Sequence, residues 1–290
     1  MAARSSAPEG PRSLVWATDI DVLPLDRVVS RRDGHLAIRS PSNPTHYWGN
    51  LLLFDAPPGE GDGPRWERLF AEEFADEPGV KHRTFAWDRT DGSLGLAREA
   101  FVERGFRLEE CVGLVAPAER VRAHPRASRE VEVRALDPAG GSDETLWQQV
   151  VELQVAARDE RFTEAEHREF SRRRLADLRA LFLLGRGAWY VALASSSNEP
   201  EVLGSCGLVV TAGRGRFQSV ETAVAHRRRG ICSRLLVEAV RASAERHGAR
   251  RLVIAADPHY HALGIYESLG FRRRERVCGV CRQPGEADAA

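Results

Sequence analysis

The chain has 290 residues, enough for about two domains of ordinary size, and its 42% hydrophobic content is enough to build real cores. Lysine plus arginine (42) balance aspartate plus glutamate (42), so the formal net charge is zero, which argues against a dedicated nucleic-acid binder. No stretch approaches the roughly 20 apolar residues that a membrane-spanning helix needs. Five cysteines are a sparse and odd set for this length, and the opening M-A-A-R-S-S-A-P-E-G-P-R has no apolar region behind its charge. Together they point to a reducing, cytoplasmic setting without a secretory signal.

In chain order, residues 1–12 are poor in large apolar side chains and are expected to fray. A strand is expected at 50–55, a Pro/Gly/acid-rich segment at 57–64, a helix near 65–74 and a strand at 85–88. Prolines and glycines then punctuate 117–143 around one alternating run, 131–136, which predicts a connector leading into a second domain, with the boundary near residue 125. Helices follow at 143–158 and 164–184, then strands at 189–194, 201–210 and 217–224, separated by turns at 195–198 and 213–215. From Ile231 the apolar positions Ile231, Leu235, Leu236, Ala239 and Val240 mark one helix face, and Gly248 stops the helix. The unbroken apolar run 252–256 predicts a strand buried on both faces. Residues 217–256 are therefore a β-α-β unit with a polar loop at the carboxyl end of its first strand, where ligands of such sheets bind.

That loop is Arg227-Arg228-Arg229-Gly230-Ile231-Cys232-Ser233. A helix start offers unpartnered N–H groups and the positive end of the helix dipole, Gly230 permits close approach, and arginines add bidentate donors, which together suit a phosphate or pyrophosphate. A solvated basic helix start is the alternative reading. Arg227, Gly230 and Cys232 fall at the places of a Q/R-x-x-G-x-G/A loop, with Cys232 departing at the last. Downstream, Ala262 to Phe271 is similar to an A-x-x-x-Y-x-x-x-G-F element. In these two motifs, over about residues 129–282, the chain resembles the GNAT superfamily of acyl-CoA-dependent N-acyltransferases.

The resemblance implies a mixed α/β (α+β) fold, acetyl-CoA as co-substrate without a metal, and a small-molecule or peptide amine as acceptor. Backbone amides of Arg228, Arg229, Gly230, Ile231, Cys232 and Ser233 correspond to the pyrophosphate cradle, with Arg227 opening the motif. Val220, Glu221 and Thr222 correspond to the strand that holds the pantetheine arm. Tyr266 matches the tyrosine that protonates the departing thiolate; a packing aromatic is its other reading. His259 stands where relatives have an asparagine that contacts CoA. Ile254 occupies a position that carries the base in some relatives, so the remaining candidate base is Glu221, which reads equally as a charged residue at a sheet opening.

The amino-terminal half echoes the same plan: Phe85-Ala86-Trp87-Asp88 with Ile254-Ala255-Ala256-Asp257, and 101–106 with 266–271. Two tandem GNAT-like domains are therefore expected, 1–125 and 126–290, each a central mixed sheet flanked by helices. In the first, Phe101 replaces the tyrosine and the acidic segment 57–64 replaces the arginine loop, so that copy is expected to be non-catalytic. The single C-x-x-C at Cys278–Cys281 cannot fill a tetrahedral zinc site alone, and the arginine runs 172–174 and 272–274 are read as solvated faces, the latter alternatively as facing an acidic substrate or the adenosine phosphate. Neither nucleic acid nor membrane is expected as a partner, and the protein is read as a monomer or homodimer. The competing reading is a GNAT-fold protein that binds acyl-CoA, or a partner, without catalysis.

Overall fold

The structure is a computed structural model, and it describes residues 10–194, 200–259 and 262–284. The expected turn at 195–198 and most of both termini lie outside the described residues.

The elements run, in order, α1 (Leu14–Asp21), β1 (Val28–Arg32), β2 (His35–Arg39), β3 (Leu51–Phe54), α2 (Asp62–Glu73), β4 (Arg83–Trp87), α3 (Ala97–Ala100), β5 (Arg107–Pro117) and β6 (Val131–Ala135). They continue with α4 (Glu144–Ala156), α5 (Glu164–Leu183), β7 (Gly187–Ala194), β8 (Val202–Thr211), β9 (Arg214–Thr222), α6 (Ile231–His247), β10 (Arg251–Ala256), α7 (Leu263–Ser268) and β11 (Arg272–Arg282). No described helix is long and apolar enough to cross a membrane.

The chain forms two compact units, and neither is the contiguous stretch 1–125 or 126–290 that the punctuation at 117–143 suggested. Of the described residues, the first holds 10–20, 26–112 and 275–284, and the second holds 21–25 and those within 113–274. Apart from the short excursion at 21–25, the changeovers fall inside strands β5 and β11, whose runs of polar and apolar residues carry no turn signal for a reader of the sequence to find.

In the first unit β1, β2 and β3 form an antiparallel meander, β3 pairs in parallel with β4, and β4 pairs antiparallel with the end of β11. Helix α2 crosses between β3 and β4, and its apolar face gives Trp66 and Phe70 to the core. Trp66 stacks on Phe54 at 3.6 Å between ring centroids, with Phe85 and Phe101 packed around it. The helix begins at Asp62, earlier than expected from the Pro/Gly content of 57–64. Pro64 sits in the first turn, where no N–H is needed, and the Asp62 carboxylate accepts the Gly59 amide at 2.8 Å.

In the second unit β6, β7, β8 and β9 are antiparallel neighbours and β10 pairs in parallel with β9. Helices α4 and α5 cover one face, and Leu146, Trp147, Val150, Leu175, Leu178, Trp189 and Val209 fill the layer between. Helix α6 closes the β9–β10 crossover and buries the five apolar positions expected of it; Gly248 caps it in the left-handed conformation at φ 68°. Helix α5 opens with a reciprocal capping box in which Thr163 Oγ1 accepts from the Glu166 amide and the Glu166 carboxylate accepts from the Thr163 amide. Thr163→Ala is expected to lower stability by about 1 kcal/mol in denaturant unfolding, with the fold retained.

The β3-α2-β4 and β9-α6-β10 crossovers thus repeat one plan, a parallel pair joined by a helix and followed by a short helix and a strand.

Candidate active site

Strand β9 is irregular at its carboxyl end. Ser205 of β8 pairs with Glu221 and Gly207 with Gln218, so one β8 residue faces two on β9, a bulge at Ser219 and Val220. Ser219 takes φ 42°, a left-handed backbone uncommon outside glycine. The extra residue also changes which side chains share a face. Residues three apart on a regular strand point oppositely, but here Gln218 and Glu221 both lie on the side covered by α4 and α5. Ala223, two residues past Glu221, packs against the core cluster of that side.

The strand is also open along one edge. Its ladder with β10 covers only Arg214–Arg216 against Arg251–Val253, while β9 continues to Thr222. Val220, Glu221 and Thr222 are half-buried and lie beyond the last of those pairs. An extended ligand with amide groups fits such an edge as an added strand would.

The loop after β9 turns directly into α6. Arg227 Nε donates to the Thr222 carbonyl at 3.3 Å, and Arg228 (φ 63°) and Gly230 (φ 74°) both take left-handed backbone. The Gly230 carbonyl accepts from the Ser128 and Arg234 amides at 3.1 Å each. Among the described residues, the amides of Arg228 to Ser233 have no acceptor, and no side chain caps the helix. Six donors at the positive end of a 17-residue helix are suited to a doubly charged anion. Arg229 extends outward, donating to His226 Nδ1 at 3.1 Å and pairing with Glu130 at 2.8 Å, so part of its donor set is engaged on the surface.

Burial pushes the Glu221 carboxyl up to about 7 from its ordinary value of 4.5, with Arg227 pulling it down. Burial likewise raises the Cys232 thiol to about 12, with the negative charge of Glu221 adding to the effect, and lifts Cys206 well above its ordinary range. Both thiols therefore stay protonated at neutral pH, whereas Glu221 titrates there.

Tyr266 is buried on α7. Its carbonyl accepts from the Leu269 and Phe271 amides, and the Phe271 ring meets Phe217 of β9 edge-on at 6.2 Å, which fixes the end of α7 relative to the start of β9. His259 is exposed; its amide is held by Asp257 at 2.7 Å. Ile254 is buried in β10. Val220 to Thr222, Arg227 and the start of α6 are thus contiguous at the end of β9, while Tyr266 and His259 lie in the segment after β10.

Sequence reasoning missed two features here. Arg174 of α5 reaches Gln218 Oε1 at 2.8 Å, and Ser205 stands opposite Glu221. Neither is signalled locally, because both depend on pairing across elements distant in the chain.

Elsewhere, Cys281 Sγ accepts from Thr84 Oγ1 and Cys278 Sγ contacts the Gly92 carbonyl, so the two C-x-x-C thiols have separate partners. No group of three or more His, Cys, Asp or Glu side chains is placed to hold a metal among the described residues. Arg273 pairs with Glu267 at 2.8 Å on the surface.

Residues 147–271 match the model of the acetyltransferase (GNAT) family. The chain carries a GNAT domain. The matched segment contains the bulged strand, the loop, α6, β10 and α7, so it covers the whole candidate site. No curated protein matches the chain. Among solved structures, a functionally unknown conserved protein from Staphylococcus epidermidis is 14% identical, covering 90% of this chain and 95% of its own, with a TM-score of 0.69. A GCN5-related N-acetyltransferase from Sphaerobacter thermophilus is 18% identical, with 88% of this chain and 75% of that one covered and a TM-score of 0.55. A tandem GNAT protein from the clavulanic acid biosynthesis pathway is 14% identical, with 95% and 90% covered and a TM-score of 0.55. At these identities the likeness is one of fold, and it extends over both units: the architecture is a tandem GNAT fold.

At the corresponding helix start of the first unit no side chain caps the helix either, but a carboxylate stands at its first residue. Asp62 occupies it with its own carboxylate, which accepts from the Gly59 amide and from Arg65, and Phe101 lies buried where the second unit has Tyr266. Both features oppose anion binding and proton donation there.

Proposed function

We propose that this protein is an acetyl-CoA-dependent N-acetyltransferase acting through its second unit, with a small-molecule or peptide amine as acceptor. The observation that carries the reading is the conjunction, at the end of β9, of an unpaired strand edge, a helix start with free amides and a carboxyl group that titrates near neutrality. The amides of Arg228 to Ser233 would hold the pyrophosphate of acetyl-CoA, and the β9 edge at Val220–Thr222 would hold the pantetheine arm, placing the thioester beside Glu221.

Glu221 is the candidate base. An amine reaches the site as an ammonium ion and must lose a proton before it attacks a carbonyl, and a carboxylate with a titration midpoint near 7 is matched to that task. Attack is direct: the neutral Cys206 and Cys232 thiols are poor nucleophiles, which disfavours an acyl-cysteine route. Tyr266 is the candidate acid for the departing thiolate, and His259 an outer contact to CoA.

A thiolate of moderate basicity leaves tolerably well unaided, so Tyr266→Phe is expected to lower turnover only about tenfold while leaving acetyl-CoA affinity unchanged. Calorimetric titration with acetyl-CoA, followed by an amine screen, tests the whole reading. Tight binding and acetylation of at least one amine support it; absence of binding by the wild type would end it.

A further inference from the structure

The Ser205 hydroxyl is fully buried in the middle of β8, yet among the described residues its Oγ has no hydrogen-bond partner. A buried hydroxyl left unpaired is unfavourable, and a core position that merely needed a small side chain would be served better by alanine. Its cross-strand partner is Glu221. Directly opposed residues of an antiparallel pair share a face with their Cβ atoms about 5 Å apart, which brings a serine Oγ and a glutamate carboxylate within hydrogen-bond reach through side-chain rotation. The bulge at Ser219 and Val220 creates this pairing, because without the extra residue Glu221 would face the α6 side. Other groups toward Glu221 are Arg227 from the loop and Cys232 from α6, while from α5 Arg174 is turned to Gln218 on the same face.

We propose that Ser205 is a positioning residue for Glu221, its O–H donating to the ionised carboxylate and holding it for proton acceptance from the acceptor. This rests on the reading of Glu221 as the base. In the step it serves, one N–H proton passes from the acceptor ammonium to Glu221; the nitrogen becomes a neutral amine, the carboxylate becomes a carboxylic acid, and Ser205 keeps its own proton throughout.

A donor to the charged form lowers the midpoint at which that form appears, so removing it raises the midpoint. The test compares wild type, Ser205→Ala and Ser205→Thr by carbon NMR titration of labelled glutamate carboxyls, with Glu221→Gln assigning the resonance, alongside acetyl-CoA calorimetry and the pH–rate profile. Ser205→Ala is expected to bind acetyl-CoA as wild type does, to shift the Glu221 midpoint upward by about one pH unit, and to lose about tenfold in turnover below that midpoint, recovering at higher pH. Ser205→Thr, which keeps the hydroxyl, is expected to retain the wild-type midpoint. An unchanged midpoint in Ser205→Ala, or a threonine variant that behaves like the alanine one, overturns the proposal. Because the NMR titration needs no acceptor, a wild type that acetylates nothing would remove the proposed function while the Ser205–Glu221 coupling is still decided.

Discussion

Gly230→Val is expected to abolish measurable acetyl-CoA binding and to destabilise the second unit by about 2–4 kcal/mol, lowering the thermal midpoint by of order 10 °C. Two independent effects add. At φ 74° a residue with a Cβ is strained by about 1–2 kcal/mol, more for a β-branched one. Space is lacking as well: a Cβ at this position would come within 2.0 Å of the Arg126 carbonyl oxygen and 2.8 Å of the Ser128 nitrogen, which are backbone atoms that cannot rotate away. The segment ahead of β6 would have to retreat, breaking the bond from the Ser128 amide to the Gly230 carbonyl. Loss of the left-handed turn at Gly230 would also redirect the amides on either side of it, so binding is expected to fall further than stability does. Calorimetry on protein shown by circular dichroism to be folded separates the two; a variant that binds acetyl-CoA normally would show that the loop is not the anion site.

The features of the site that depend on local sequence were the legible ones. Ile231 to Val240 carry a 3.6-residue apolar period and Gly248 a helix stop, so α6 and its start could be placed, and the unbroken apolar run of β10 marked a doubly covered strand. The bulge was not legible. Its left-handed residue is Ser219, and no glycine or asparagine announces the break. The unit division was hidden for a different reason: β5 and β11 each pass from one unit to the other without a loop, so the punctuation that normally marks a boundary falls elsewhere, at 117–143. In α2 the Gly/Pro content of 57–64 hid a helix start that Asp62 stabilises by local bonding to Gly59 and Arg65. Ser205 was invisible because a lone serine in a strand acquires meaning only from what lies across the ladder.

Glu221→Gln is expected to trade activity for stability. Turnover should fall about a hundredfold or more near neutrality, because the amide cannot accept the acceptor's proton, while acetyl-CoA affinity holds. The wild-type rate should rise with pH through a midpoint near 7, where Glu221 ionises, and the variant should lose that limb. Stability should move the other way. Burial raises the folded-state midpoint of this carboxyl from 4.5 to about 7, so the folded protein binds the proton more tightly than the unfolded chain. Native stability from this group is therefore fully present below pH 4.5, declines as pH rises toward 7, and stays reduced above it. Glutamine never ionises and escapes the decline. At pH 8 the variant should be the more stable protein, by about 3 kcal/mol at most and less to the extent that water reaches the carboxylate, whereas at pH 4 the two should converge. Denaturant unfolding at the two pH values checks this: a variant with equal or lower stability at pH 8 would mean that Glu221 is not held against its own ionisation, and the argument for it as a base tuned to neutral pH would fail with it. A gain in stability with loss of turnover is the signature of a residue kept for its chemistry at a cost to the fold.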